Sequence, residues 1–141
     1  MEELESKNFI DKNFIYAVVG ATNNQEKYGY KVLMDLKNKG FNVVPVNPKY
    51  QEVAGLTCYP ALISLEERPD VVVLVLGEEN AKKIVQNCID STLNKIWFQP
   101  GSEYDEAVAL AQSAGFNIVT GKCIMEETKD INEISQPAFS G

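Results

Sequence analysis

Short apolar runs alternate with amphipathic segments along this chain, and this alternation constrains the fold most strongly. The runs occupy residues 14–20 (FIYAVVG), 42–48, 71–76 (VVVLVL), 95–99 and 117–120. Apolar runs of this length without polar alternation are typical of strands covered on both faces. Helical patterns lie between them, at residues 30–39, 80–91 and 102–114. This order predicts an α/β fold, with a doubly wound, mainly parallel five-stranded sheet in a three-layer αβα arrangement.

Single residues refine the predicted element boundaries. Gly40 and Gly115 follow the first and third helical patterns and predict their ends. Ser102 is the predicted N-cap of the third helix. Pro45 indicates a strand end or an irregular ladder in the second strand, because proline donates no backbone hydrogen bond. Residues 49–70 are predicted to form a loop with short helical turns.

The length of 141 residues suits one domain with a single sizeable core. We expect a polar leader at residues 1–13, the domain at 14–126 and a C-terminal tail at 127–141. The net charge of −7 gives no basic footprint for nucleic acid. No apolar run approaches the roughly 20 residues that span a bilayer, and the acidic start is unlike a signal peptide. We therefore expect a cytoplasmic protein without nucleic-acid or membrane partners.

The chain contains no histidine, which excludes Ser-His and Cys-His catalysis and a phosphohistidine relay. The three cysteines, at positions 58, 88 and 123, are widely spaced and form no CxxC pair. This spacing argues against a disulfide framework and against a zinc site. We therefore predict no metal site and no catalytic residue, although chemistry by lysine, tyrosine or carboxylate stays open.

The segment GATNNQEKYG, which follows the first strand, is a candidate phosphate-binding corner. It contains no GxGxxG, because Thr22 occupies the second glycine position, and no GxxxxGK, because Gln25 occupies a required glycine position. Backbone N–H groups at a strand-to-helix corner still suit an anion, and the Thr22 hydroxyl can donate to it. The alternative is that Gly20 only permits a tight turn.

The end of the second strand carries Asn47, Pro48 and Lys49, with no acid before Glu52. An NAD site typically has Asp or Glu here, whose carboxylate accepts hydrogen bonds from the ribose hydroxyls. A lysine suits a phosphate on the ribose better, and both NADP and coenzyme A carry one. The alternative is a solvated lysine in a turn.

Several segments together resemble the small stand-alone CoA-binding domain family. They are AVVGAT, GYKVLMDLKNKGFNVVPVNPKYQEVAGLTCYPAL, PDVVVLVL, KIWFQPG and AGFNIVTGKCIM, with the VxPVNPKY…G…CYP block the most specific. The likeness covers roughly residues 14–126 and extends to the CoA-binding domain of succinyl-CoA synthetase. It implies a Rossmann-like fold that binds CoA or acyl-CoA.

The resemblance also implies a set of cofactor-binding positions. The first loop would receive the diphosphate, with Lys27 and Tyr28 closing over it. The second loop would flank the adenosine, the loop after the third strand would line the cofactor, and the loop after the fourth strand would approach the pantetheine side. Cys123 follows the last strand near the same rim, where it could meet the thiol of the pantetheine arm; the alternative is a small buried hydrophobic residue. The positions are Gly20, Ala21, Thr22, Lys27, Tyr28, Asn47, Pro48, Lys49, Tyr50, Leu76, Gly77, Gln99, Pro100, Gly101 and Cys123.

The chain departs from the family pattern after the third core strand. Many relatives place arginines there, whereas this chain has GEEN, with Glu78 and Glu79. We expect a non-catalytic CoA sensor, carrier or regulatory protein, because ligase chemistry needs a phosphohistidine that this chain lacks. An NADP-dependent oxidoreductase and a structural subunit with a vestigial nucleotide pocket are the alternatives. A protein partner or a homo-oligomer is left open.

Overall fold

The structure is a computed structural model, and it describes residues 6–129. Most of the predicted tail and the first five residues of the predicted leader lie outside the described residues. The strands are β1 Ile15–Val19, β2 Asn42–Val46, β3 Glu52–Val53, β4 Leu56–Thr57, β5 Val71–Leu74, β6 Lys95–Phe98 and β7 Asn117–Val119. The helices are α1 Tyr28–Asn38, α2 Glu78–Ser91, α3 Asp105–Ser113 and α4 Ile124–Glu127, with a 3₁₀ turn at Leu62–Ser64.

Five of the strands form one parallel sheet in the order β2-β1-β5-β6-β7. Tyr16 pairs with Val43 on one side of β1 and with Val71 on the other side. The chain thus passes outward from β1 to β2, then returns to the opposite side of β1 for the remaining strands. The prediction of a doubly wound, Rossmann-like sheet is confirmed. Its winding reverses between β1 and β5, and such a switch point opens a crevice at the carboxyl ends of the strands.

Both faces of the sheet are buried, which explains why the strand sequences are continuously apolar. Tyr16 and Val18 of β1 pack on the α1 side, whereas Ala17 and Val19 pack on the side of α2 and α3. β6 alternates in the same way, with Trp97 on the α1 side and Phe98 on the other, both fully buried. The central strands are therefore held by two cores, one on each face.

Phe9, in the predicted leader, is part of the core on the α1 side. Its ring meets Trp97 edge-on, with centroids 5.9 Å apart, and it is 1% exposed. The Tyr16 hydroxyl donates to the Phe9 carbonyl over 2.7 Å. These contacts fix the segment before β1 against the sheet.

Two local predictions differ from the structure. Ser102 is not the N-cap of α3, since Tyr104 precedes the helix and the buried Ser102 side chain bonds to Leu76 instead. Residues 49–70 contain a hairpin, β3–β4, which the sequence pattern did not indicate. Pro45 lies at the end of β2, one residue before the strand stops at Val46, and it pairs in register with Val18. β2 is the edge strand of the five, where a proline fits.

Candidate functional site

A cleft of about 790 Å³ lies at the carboxyl ends of β1, β2 and β5, at the switch in winding direction. It is larger than a concavity of about 570 Å³ at the outer edge of β2. Twelve of the residues predicted to bind a cofactor line it: Gly20, Thr22, Lys27, Tyr28, Asn47, Pro48, Lys49, Tyr50, Leu76, Gly77, Pro100 and Gly101. Ala21, Gln99 and Cys123 do not line it and lie behind its wall.

Two glycines allow the backbone segments at the base of this cleft to pack closely together. Gly20 has φ +103°, and a Cβ there would lie 1.9 Å from the Val75 carbonyl oxygen. A Cβ on Gly29, in the first turn of α1, would lie 2.1 Å from the Gly20 carbonyl oxygen. No side chain fits at either position. The loop after β1 therefore contacts both the end of β5 and the start of α1 through bare backbone.

Asn47 joins the first two loops of the rim. Its Nδ2 donates to the Ala21 carbonyl over 2.8 Å, and its Oδ1 accepts the Lys49 N–H over 2.9 Å. Its own N–H donates to the Tyr59 carbonyl over 2.9 Å. Because one amide satisfies backbone groups of both loops, the Asn47–Tyr50 turn is held against the Gly20–Thr22 corner.

Thr22 and Tyr50 make a second link between the same loops. Their hydroxyl oxygens lie 2.9 Å apart, and the Thr22 Oγ1 also accepts the Asn24 N–H over 3.1 Å. Thr22 is only 9% exposed. Its hydroxyl is thus already committed to holding the loop, in addition to any role towards a ligand.

The charge of the cleft is opposite to that of the chain. Lys27, Lys49 and Lys83 line it, and no Asp or Glu does, although the chain carries a net charge of −7. Among the described residues, none of these three ammonium groups forms an ion pair. Uncompensated cations in a concave site attract anionic ligands, because the low-dielectric walls focus the field.

The helix ends add to this field unequally. α1 points its N-terminus at the cleft and has no acid in its first turn, so its free N–H groups favour an anion. α2 begins with Glu78 and Glu79, which oppose an anion at that end, but neither side chain lines the cleft. The GEEN segment therefore leaves the interior of the cleft free of carboxylates.

The wall formed by α2 was missed by the sequence analysis. Asn80, Lys83, Ile84 and Asn87 line the cleft, and so do Ser102 and the Pro60–Ala61 segment. The positions i, i+3, i+4 and i+7 lie on one face of a helix, so the spacing itself was a signal. It was overlooked because the face is mixed, with one apolar residue among three polar ones.

Tyr28, Gln99 and Cys123 meet behind the cleft wall. The fully buried Gln99 accepts the Ile124 N–H at Oε1 over 2.7 Å, which directs its Nε2 to the Tyr28 hydroxyl at 3.1 Å and to Cys123 Sγ at 3.4 Å. Since Tyr28 accepts from Gln99, its hydroxyl proton is free to point at Cys123 Sγ, 2.9 Å away. Only Tyr28 of the three also lines the cleft.

This contact separates the pKa values of the two groups. Burial raises the pKa of the Tyr28 hydroxyl to about 12, with the Cys123 sulfur as the next contributor. Burial also raises the pKa of Cys123, but hydrogen bonds from Tyr28, Gln99 and the backbone of Met125 and Glu126 outweigh it and lower that pKa overall. Burial alone raises the pKa of Cys88 to about 12. Cys123 is thus the cysteine whose thiolate is favoured.

The other features of the described structure are less suited to an anionic ligand. The second concavity, about 570 Å³, lies at the outer edge of β2 and includes Glu66 and Glu67. Within residues 6–129 no group of three metal-ligating side chains comes together. No helix in the same span is both long and apolar enough to cross a membrane.

The comparison with known families decides the assignment. The model of the CoA-binding domain family matches residues 15–129, most of the chain and all four loops of the cleft. The chain belongs to the CoA-binding domain family. The resemblance stated from the sequence is therefore confirmed.

Two kinds of relative share this domain. A conserved hypothetical protein from Pyrococcus furiosus superposes with a TM-score of 0.77 at 40% identity, covering 82% of this chain and 98% of its own. A hypothetical protein from Pyrococcus horikoshii superposes with a TM-score of 0.82 at 31% identity, covering 92% and 90%. An ADP-forming acetate–CoA ligase from Archaeoglobus fulgidus is 27% identical over 78% of this chain but only 18% of its own length. This chain spans less than a fifth of the length of such ligases.

Proposed function

We propose that this protein binds coenzyme A or an acyl-CoA in the cleft between β1, β2, β5 and α2. The observation that carries the proposal is the lysine-lined, carboxylate-free cleft at the switch point of a CoA-binding domain. CoA presents three phosphate groups at one end and an apolar arm at the other. The cleft offers three lysines together with Val46, Val75, Leu76, Ile84 and Pro100.

The rim loops suit the two ends of this ligand. The Gly20–Thr22 corner and the start of α1 suit the diphosphate, because N–H groups and helix polarity converge there. Lys49 follows β2 and suits the 3′-phosphate of the ribose. Leu76, Gly77, Pro100 and Gly101 follow β5 and β6 and suit the less polar pantetheine arm.

Ala21, Gln99 and Cys123 support the site from behind. Ala21 offers its carbonyl to Asn47, and Gln99 and Cys123 hold the Tyr28 hydroxyl. Their proposed role is to position the loops that contact CoA. The thiol of a bound CoA would approach Cys123 only past Tyr28.

The proposed task is sensing, carrying or regulation, with no acyl transfer by this chain itself. The chain has no histidine to carry a phosphoryl group, and it corresponds to a small part of the ligases that it resembles. Residues 14–126 would form the binding unit. The free cysteines suit a reducing compartment, so we place the protein in the cytoplasm.

Titration calorimetry of reduced protein, shown by mass spectrometry to be ligand-free, tests the proposal. CoA should bind with a micromolar dissociation constant, about −8 kcal/mol, and NADP⁺ should bind far more weakly. Tighter binding of NADP⁺ than of CoA would support the oxidoreductase alternative. No heat with any nucleotide would support the vestigial pocket.

A separate assay tests the absence of acyl transfer. The protein is incubated with acetyl-CoA at a saturating concentration, and free CoA is followed by reversed-phase chromatography, which separates it from the thiols of the protein. We expect CoA release at the rate of the buffer control. Release that scales with the protein concentration would contradict the non-catalytic role.

A further inference from the structure

We propose that α2 is the wall that recognises the nucleotide half of CoA, with Lys83 binding a phosphate, Ile84 contacting the adenine and Asn87 hydrogen-bonding its edge. This inference rests on the proposed function and makes it more specific. It assigns the phosphate-binding charge of this wall to the second turn of the helix, whereas the start of the helix carries Glu78 and Glu79.

The helix divides its side chains among three directions. Ala81, Val85 and Cys88 are fully buried against the sheet. Lys82 turns to Glu106 of α3, with Nζ 3.1 Å from Oε1, and Gln86 turns to Asp90 over 3.2 Å. The third direction holds the four residues that line the cleft, and in the described part of the chain Lys83 has no ion-pair partner.

Lys83 supplies the charge that the loop after β5 lacks. A flexible lysine in the second turn of α2 presents its ammonium group inside a cleft without carboxylates. An ammonium–phosphate hydrogen bond is charge-assisted and therefore among the stronger polar contacts. The residue next to it, Lys82, has the same charge and the same helix but faces α3, so it is a matched control.

The apolar part of this wall suits a purine. Ile84 lines the cleft together with Val46, Pro60 and Ala61, and its side chain packs against the same hydrophobic cluster as Val46. A planar base that contacts these apolar side chains would remove apolar surface from water. Asn80 adjoins Gly77 on the side of the pantetheine arm, whereas Asn87 lies two turns further along the helix.

Asn87 has the chemistry that an adenine edge requires. A carboxamide can accept from the exocyclic amine and donate to a ring nitrogen at the same time. Asn87 is exposed in the free protein and lines the cleft. Gln86 is its matched control, because it carries the same amide on the adjacent position and bonds to Asp90 outside the cleft.

The lysine pair is tested by calorimetry with CoA and with adenosine 3′,5′-bisphosphate, at fixed ionic strength. Lys83→Ala should weaken both ligands about tenfold, whereas Lys82→Ala should change them less than about twofold. Equal weakening by the two substitutions would mean a net-charge effect and would overturn the phosphate contact. Thermal unfolding checks that both exposed substitutions leave the fold intact.

The amide pair is tested with 1,N⁶-etheno-CoA, in which the exocyclic amine is blocked. Wild-type protein should prefer CoA over this analogue, Asn87→Ala should lose most of that preference, and Gln86→Ala should keep it. The same preference in Asn87→Ala and wild type would overturn the base contact. If the wild-type protein binds neither CoA nor the bisphosphate, the proposed function itself is wrong. If the wild-type protein binds both ligands but the variants behave like their controls, only the role of α2 is wrong.

Discussion

The Thr22 and Tyr50 hydroxyl oxygens lie 2.9 Å apart and join the loop after β1 to the loop after β2. These loops carry the groups proposed for the diphosphate and for the ribose phosphate. The distance between the two loops must therefore match the distance between the diphosphate and the ribose phosphate of the ligand. Because the contact already holds the loops in place, less conformational entropy of the loops is lost when the ligand binds.

A double-mutant cycle measures this link. Thr22→Val and Tyr50→Phe should each lower the free energy of unfolding by about 1 kcal/mol, with a coupling of about 0.5–1 kcal/mol. Each should weaken CoA binding a few-fold, because the loops become less well held. Urea unfolding and calorimetry provide the two readouts. Additive effects on both would show that the hydroxyl contact does not couple the loops.

Gly20 is predicted to be the least replaceable residue of the site. Gly20→Ala would place a Cβ 1.9 Å from the Val75 carbonyl oxygen and retain φ +103°. Backbone cannot move away as a flexible side chain would, so we expect a loss of about 3 kcal/mol or more in urea unfolding.

Gly55→Ala is the control for the backbone angle alone. Gly55 has φ +81° but nothing within 4 Å of the added Cβ, so its loss should be about 1 kcal/mol. Similar losses at Gly20 and Gly55 would show that the strained angle, rather than the close approach to β5, accounts for the effect.

Cys123 is predicted to be the most reactive of the three thiols. The thiolate is the nucleophile, so a lowered pKa lets the alkylation rate reach its plateau at a lower pH. Tyr28→Phe removes one hydrogen bond to the sulfur, so the midpoint of the pH–rate profile should move to higher pH. Tyr28 stays protonated through this range, because its own pKa is about 12.

Peptide mass spectrometry after timed iodoacetamide treatment at a series of pH values gives these profiles for each cysteine. Tyr30→Phe is the control and should leave the profile unchanged, because the side-chain hydrogen bonds to Cys123 Sγ in the described structure come from Tyr28 and Gln99. Cys58 and Cys88 should react more slowly, because burial raises the pKa of both. An unchanged midpoint in Tyr28→Phe would contradict the assigned hydrogen bond.

The sheet was predictable because burial on both faces leaves little choice of sequence. Residues 71–76 contain only Val and Leu, and the structure places β5 there between two neighbours. The β3–β4 hairpin was not predictable in this way, since each strand has two residues and only Val53 is buried. Ser102 matched a helix-cap pattern, but its bonds to Leu76 depend on the tertiary arrangement of two loops.

The site was predictable as a set of loops but not as a set of contacts. Strand ends locate Gly20, Asn47, Leu76 and Pro100 on one rim, because parallel strands end together. The meeting of Gln99 with Cys123 spans 24 residues and depends on how the chain turns after β7. The positive cleft was hidden in a net charge of −7, because only the fold selects which lysines face inward.

Lys49 is predicted to distinguish CoA from dephospho-CoA. Its backbone N–H is held by Asn47 and its side chain lines the cleft, so substitution removes the ammonium group and leaves the turn in place. Lys49→Ala should weaken CoA about tenfold but dephospho-CoA less than about twofold, since only CoA carries the 3′-phosphate. Calorimetry with both ligands measures the ratio, and Lys31→Ala, an exposed lysine on α1 outside the cleft, controls for net charge. Equal weakening of the two ligands would assign Lys49 to the diphosphate and leave the 3′-phosphate to another cation of the cleft.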